Sequence, residues 1–296
     1  GSPRSGRSQT LRTLAGAMAL RLGVGDVHMY GIDCGNGALL ALGALPHCGA
    51  VVQRHEPDRV SRLLGILLRT VQERQAAFAA GGYSSIAEQR TDAGTVPMPH
   101  IVVFLDQWES FMATLADAEN GALHDAVQTL LREGVGVGVH LVVSGDRTLT
   151  SGRMSSQVER KLLLALADRG DYNYEGINGK KLPESIPPGR GFRNATATET
   201  QVAVLPGGLG GRDQAAALRG IGDEVRAHVP ADAPKPFRID VLPRSITFAD
   251  AVRYLPSAEA SVGRVALGVG GDELRLFTHD FVQDTPVFIV GGSPRS

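Results

Sequence analysis

The chain has 296 residues, 43% of them hydrophobic and 21% charged, with a formal net charge of −1. This is ordinary globular composition, enough for two domains or one large α/β domain with an appendage. It provides no overall basic field for nucleic acid or an anionic membrane, although a local basic patch stays open. No apolar run reaches the ~18 residues needed to span a bilayer and no signal peptide is visible, so any membrane anchor is expected outside this stretch. Cys34 and Cys48 lack CxxC spacing and have no histidine pair at zinc spacing. They read as buried reduced thiols of a cytoplasmic protein.

In chain order, residues 1–8 read GSPRSGRS, and a helical pattern follows through Leu11, Leu14, Met18 and Leu22. VHMYGI (27–32) reads as a buried strand broken at Asp33–Gly37, and CGAVVQ (48–53) as a second short strand. Residues 57–80 have helical periodicity, and 92–99 form a loop. His100–Asp106 is an apolar run without alternation, as expected of a central parallel strand covered on both faces. A helix is expected around 122–132, then a strand over 137–144 ending in Gly145-Asp146-Arg147. The alternation predicts an α/β fold with a mostly parallel sheet. After about residue 205 the texture changes: a Gly-rich loop, a helix over 213–228, a linker at 231–236, then four short strands at FRIDVLP, RVALGV, ELRLF and TPVFIVG.

Gly1-x-x-x-x-Gly6-Arg7-Ser8 fits the phosphate-loop pattern, with Arg in place of Lys. Glycines let backbone N–H groups turn inward around phosphate oxygens, and the helix that follows adds its positive end. Gly1, Pro3, Arg4, Ser5, Gly6, Arg7, Ser8 and Gln9 are the candidate nucleotide-binding residues, with Ser8 as a Mg²⁺ ligand. Arg7 also binds phosphate, but its planar fork reaches differently, a change compatible with binding and weak catalysis. The alternative is a Gly-rich turn with an exposed arginine. The pentapeptide Gly1–Ser5 recurs as Gly292–Ser296, there preceded by the apolar run 287–290. Either the sequence is a piece of a tandem protein cut at equivalent points, or the terminal strand fills the sheet position that the first loop requires. A leading Gly-Ser left by a tag is the third reading.

Asp106, ending a buried strand, reads as the second Mg²⁺ ligand of such a site, or else as a cap of the next helix. The next residue is Gln107, which orients water but does not accept its proton at neutral pH. Glu109 is either a substitute in shifted geometry or a solvated, capping residue. Gln107 and Glu109 are therefore the candidate catalytic positions. Trp108 is expected to pack on the sheet. Ser144, at the tip of the next strand, is placed to sense a terminal phosphate, and Arg147 is either part of that tip or a surface charge.

Gly1–Ser8, Asp33–Leu39, Pro46–Val51, Val102–Asp106, Gly138–Val142, Leu182-Pro183 and Gly189–Gly191 fall in an order that resembles FtsK/SpoIIIE-type ATPase modules. The D-x-G-x-G-x-L and L-P-H-x-G-x-V stretches look most like the EccC/EssC motors of type VII secretion. The resemblance covers about residues 1–205, with a helix and linker at 206–235. Residues 236–296 then resemble a β-rich inter-module segment running into the first strand and phosphate loop of a following module. It implies a RecA-like core, ATP with Mg²⁺, neighbouring modules or a homo-oligomer, and helical-hairpin proteins with export signals as substrates. Arg7 and Gln107 depart from the family's Lys and Glu, which puts hydrolysis in doubt. Three readings remain: an ATPase for export, a non-hydrolysing scaffold or regulatory module, and a DNA translocase module. Arg132 and Arg190 are guesses for an arginine finger.

Overall fold

The computed structural model describes residues 1–150, 152–194, 196–254, 263–272, 274–285 and 287–292, with the backbone alone at 152 and 153. The chain divides into the units Gly1–Pro236 and Phe237–Ser296.

The first unit is built on a four-stranded sheet of β1 (Val27–Asp33), β2 (Cys48–Gln53), β3 (His100–Asp106) and β4 (Val139–Val143), in the order β2-β1-β3-β4. Every pairing is parallel, and Asp33 lies opposite Asp106 in the ladder of β1 and β3. These two strands occupy the centre, so both faces of each must be covered, which is why their sequences do not alternate. The helices are α1 (Arg7–Arg21), α2 (Pro57–Gly81), α3 (Ile86–Thr91), α4 (Trp108–Thr114), α5 (Ala122–Glu133), α6 (Gly152–Gln157) and α7 (Gly211–Arg226).

Strand periodicity divides the core into two layers. Val27, Met29, Val102 and Phe104 face one side, where they pack with Leu11, Ala15 and Ala19 of α1 and with Leu218 and Ile221 of α7. Their strand neighbours Ile32, Val103 and Leu105 point to the other side and are equally buried. There α2 and α5 pack against each other and against the sheet. The 25-residue α2 starts with Pro57 at its first turn and stops at Gly82 in left-handed conformation (φ 73), both fitted to those ends. Arg74 of α2 is buried and donates to the carbonyls of Val137 and Pro99 at 2.8 Å each, tying the loops that lead into β4 and β3. That burial pulls its guanidinium down to about 10.

Sequence and structure agree on β1 to β4, α1, α2, α5 and α7 within a few residues, whereas the short helices α3, α4 and α6 were not anticipated. β4 begins two positions later than expected because Val135–Val137 is a 3₁₀ turn and Gly138 (φ 79) reverses the chain. The sequence reading omitted a second, antiparallel sheet of β5 (Leu162–Leu164), β6 (Arg190–Arg193) and β7 (Glu199–Gln201), in that order. Its strands are only three or four residues long, too short for a pattern. A small core of Leu163, Tyr172, Ile177 and Phe192 supports it. Cys34 and Cys48 are free thiols, and burial pushes both up to about 12.

The second unit contains a short helix α8 (Phe248–Val252) and an antiparallel pair, β8 (Arg264–Gly270) and β9 (Arg275–Asp280). The strand expected over 237–243 is absent: the run is bounded by Pro236 and Pro243, which have no N–H to enter a ladder. Among the described residues no strand forms at the end of the chain either, where Val287, Ile289 and Val290 are largely exposed. Residues 293–296 of the repeated pentapeptide lie outside the described residues.

Candidate functional site

The loop over residues 1–6 leads directly into α1. Gly6 has φ 102, and a Cβ there would stand 2.9 Å from the backbone nitrogen of Gly189, so glycine is required twice over. Arg4 is also left-handed (φ 64). Neighbours hold the loop. The Gly1 amine donates to Gly145 O at 2.8 Å, and Ser2 N–H donates to Ala165 O at 2.6 Å. The Gly189 N–H donates to Ser5 O at 2.8 Å. The first helical bond runs from Thr10 N–H to Gly6 O at 2.9 Å. The amides of Gly6, Arg7, Ser8 and Gln9 bond to nothing else among the described residues. They form the positive end of a 15-residue helix.

Ser8 Oγ donates to Asp106 Oδ2 at 2.6 Å, joining the first turn of α1 to the tip of β3. The other oxygen of Asp106 accepts from the Ser144 hydroxyl, just past β4. Ser144 Oγ in turn accepts the Gln107 N–H at 3.1 Å. Asp106 is fully buried and Ser144 nearly so. Three residues named separately from the sequence thus form one chain of hydrogen bonds across α1, β3 and β4.

The other predicted residues are placed differently. Arg7 donates to Glu109 Oε1 at 2.7 Å. Glu109 Oε2 accepts the Asp146 N–H at 3.1 Å, so both carboxylate oxygens are engaged. Gln107 is left-handed (φ 62), and its amide lies over the loop after β1: a Cβ on Gly35 would stand 2.3 Å from its Nε2. Gln9 reaches to Gln214 of α7. Pro3, Arg4 and Arg147 are exposed, while Ser5 is buried with its hydroxyl unpartnered. Trp108 is buried and stacks on Phe111 with ring centroids 5.2 Å apart. Arg132 pairs with Glu133, and Arg190 with Glu199 and Gln201.

Asp33, not assigned a role from the sequence, is the fully buried partner of Asp106 in the ladder. It accepts from the N–H groups of Gly35, Gly37 and Leu39 at 2.9, 3.3 and 2.7 Å, which holds the D-x-G-x-G-x-L turn under Gln107. The spacing of those glycines was the available signal. Arg12, one helical turn from Ser8, donates to Ala38 O at 2.6 Å. Burial lowers its guanidinium from the ordinary value, against the pull of Asp33 and Asp106.

These residues suit a magnesium nucleotide. Mg²⁺ takes hard oxygen ligands and is held by one or two protein oxygens together with substrate phosphates. Ser8 and Asp106 are such a pair, and no cluster of three or more His, Cys, Asp or Glu that could hold a metal alone exists among the described residues. The free amides at the head of α1 fit anionic oxygens.

A glycine-hinged loop opening a helix, with the helix hydroxyl bonded to a carboxylate at a parallel strand's tip, defines a P-loop NTPase domain of RecA-like α/β type. The chain belongs to the FtsK/SpoIIIE family, whose model matches residues 1–178. It is 32% identical over 196 residues to the ESX-4 secretion system protein EccC4 of Mycobacterium tuberculosis, covering 65% of this chain and 15% of that protein. It is 29% identical over 308 residues to the ESX secretion system protein EccC of Thermomonospora curvata, covering 99% of this chain and 22% of that protein. The solved structure of Thermomonospora curvata EccC ATPases 2 and 3, in complex with a signal sequence peptide, superposes with a TM-score of 0.69 at 27% identity. That superposition covers 95% of this chain and 50% of that one. The chain therefore spans less than a quarter of these two curated relatives. Among the described residues no helix is long and apolar enough to cross a membrane.

Proposed function

We propose that this chain is an ATP-binding module of an FtsK/SpoIIIE-type motor for type VII-like protein export, with weak or absent hydrolysis. The observation that carries the reading is the Ser8–Asp106 contact beneath the free amides of α1. When bound, Mg²⁺ would supply charge neutralisation between the terminal phosphates. The chain's own contributions are specific. The amides of Gly6 to Gln9 bind phosphate oxygens, Ser8 and Asp106 orient the ion, and Ser144 holds Asp106 in place.

Weak hydrolysis follows from the two positions beside Asp106. Gln107 has no basic group to take a proton from water. Glu109 is tied to Arg7 and to the Asp146 amide. Restoring a carboxylate should restore general-base catalysis, worth about 10²–10⁴-fold. A phosphate-release assay on Gln107→Glu should therefore show turnover well above the unaltered chain at equal ATP affinity. Equal turnover in the two would contradict the assignment. A module that binds without turning over would act as a scaffold or regulator for neighbouring modules. Export signals on helical-hairpin proteins are the proposed substrates, in keeping with the signal sequence peptide on the Thermomonospora curvata relative. The proposed place of work is the cytoplasm, with any membrane anchor supplied by other regions.

A further inference from the structure

The turn that leads into β6 is fastened to the phosphate loop. The Gly189 N–H donates to Ser5 O at 2.8 Å, and a Cβ on Gly6 would meet the Gly189 nitrogen at 2.9 Å. From Gly189 the chain passes straight into β6. At ~3.3 Å per residue, Phe192 lies about 10 Å along that strand from Gly189. Strand side chains alternate between faces, so Arg190 and Phe192 share one face. Their antiparallel partners Gln201 and Glu199 share it as well. Arg190 donates through Nε to Gln201 Oε1 at 2.8 Å and pairs with Glu199. Gln201 Nε2 donates to Pro188 O at 3.2 Å. These three partly exposed side chains are thus interlocked between Gly189 and Phe192.

Phe192 lines a cavity of about 500 Å³, whose apolar walls include Ile177, Leu182 and Pro183. Asn178, Lys181 and Glu199 are its polar lining. The Phe192 ring meets Tyr172 edge-on, with centroids 6.1 Å apart, and Tyr172 is itself held by its hydroxyl, which donates to Leu164 O at 2.9 Å. Apolar walls, a fixed aromatic ring and a few polar groups suit a flat heteroaromatic ligand, and the volume falls within the ~300–1,000 Å³ of small-molecule sites. The stretch of β6 from the loop to the cavity is of the length of a nucleoside. We propose, resting on the nucleotide-binding reading above, that this cavity receives the base of a nucleotide whose phosphates lie on the head of α1. Arg190 and Gln201 then flank the ribose, offering donors and acceptors for its hydroxyls. The Gly189-Arg190-Gly191 motif acquires a role in this arrangement: it joins the phosphate end of the site to the base end.

Photolabelling of the unaltered chain with Mg²⁺ and an ATP analogue that carries an azide on its base tests the placement directly. Adducts that excess ATP suppresses should map to peptides within residues 177–199. Suppressible adducts found only elsewhere would overturn the base site while leaving nucleotide binding intact. Titrations give a second test. Leu182→Trp fills the cavity and should weaken ATP by about tenfold or more, roughly the worth of one stacked base. Inorganic tripolyphosphate, which has no base, should bind the variant and the unaltered chain alike, and that binding shows the variant to be folded. ATP affinity unchanged in Leu182→Trp would also overturn the base site. An unaltered chain that binds neither ATP nor tripolyphosphate would instead remove the nucleotide reading, and the base site with it.

Discussion

Arg7 is the residue on which the state of the loop turns. Its guanidinium is 11% exposed and held by Glu109, itself 26% exposed, so the pair is partly screened by water. A nucleotide must compete with Glu109 for this cation. Glu109→Gln removes the competitor and should tighten ATP binding by up to about fivefold, roughly the 1 kcal/mol value of such a pair. Titration with a fluorescent nucleotide reads this directly, and weaker binding in the variant would mean that Glu109 assists the ligand. The pair was not legible from the sequence: Arg7 and Glu109 are 102 positions apart, and the seven-residue α4 gave no periodic signal. The Ser8–Asp106 pairing was legible, because each residue sits at an element terminus that its own motif marks.

At the scale of elements, the junction of loop and α1 depends on Gly6. Gly6→Ala forces a side chain into left-handed backbone and against Gly189, a strain of about 1–3 kcal/mol. Its melting temperature should fall by about 2–4 °C per kcal/mol, and an unchanged value would contradict the close approach. At the opposite ends of β3 and β4, His100 Nδ1 lies 3.1 Å from His140 Nε2, with the rings stacked. Burial lowers both rings below the ordinary 6.5. His140, Arg90 and Arg74 oppose protonation of His100 and Asp26 favours it, while Arg74 opposes that of His140. Well above pH 6.5 both rings are neutral in the folded and unfolded chain, so pH has no effect through them there. Below it the unfolded chain takes up protons that the folded chain refuses, so stability falls as the medium is acidified. His28 and His47, also lowered by burial, add to the same slope. Thermal melts between pH 7 and 5 should show this loss, with a shallower slope in His100→Asn. Identical slopes would remove the pair from the account. The central strands were readable because burial on both faces leaves an unbroken apolar run. The short strands of the second sheet were not, since β6 and β7 gain their order from pairing rather than pattern.

At the scale of the whole molecule, the near-neutral charge bears on what the module handles. Duplex DNA binding is dominated by phosphate neutralisation and needs a concentrated basic surface. The net charge is −1, and Arg59, Arg90, Arg190 and Arg226 are already engaged in ion pairs. No salt-dependent affinity for duplex DNA is expected in a filter or fluorescence assay, and a steep salt slope would favour the DNA translocase reading over protein export. The division at residue 236 follows a proline-bearing linker that the sequence marked. The end of the chain was misread as a strand because an apolar run predicts burial and extension but not the presence of a partner edge.

The central claim is that Ser8 and Asp106 share one magnesium ion beneath an ATP held by α1. Calorimetric titration of the chain with ATP, with and without Mg²⁺, alongside Asp106→Ala, tests it most directly. Micromolar binding that depends on Mg²⁺ and weakens by about 10–100-fold in the variant is the predicted result. No heat up to millimolar ATP, or binding indifferent to both the ion and Asp106, would contradict it.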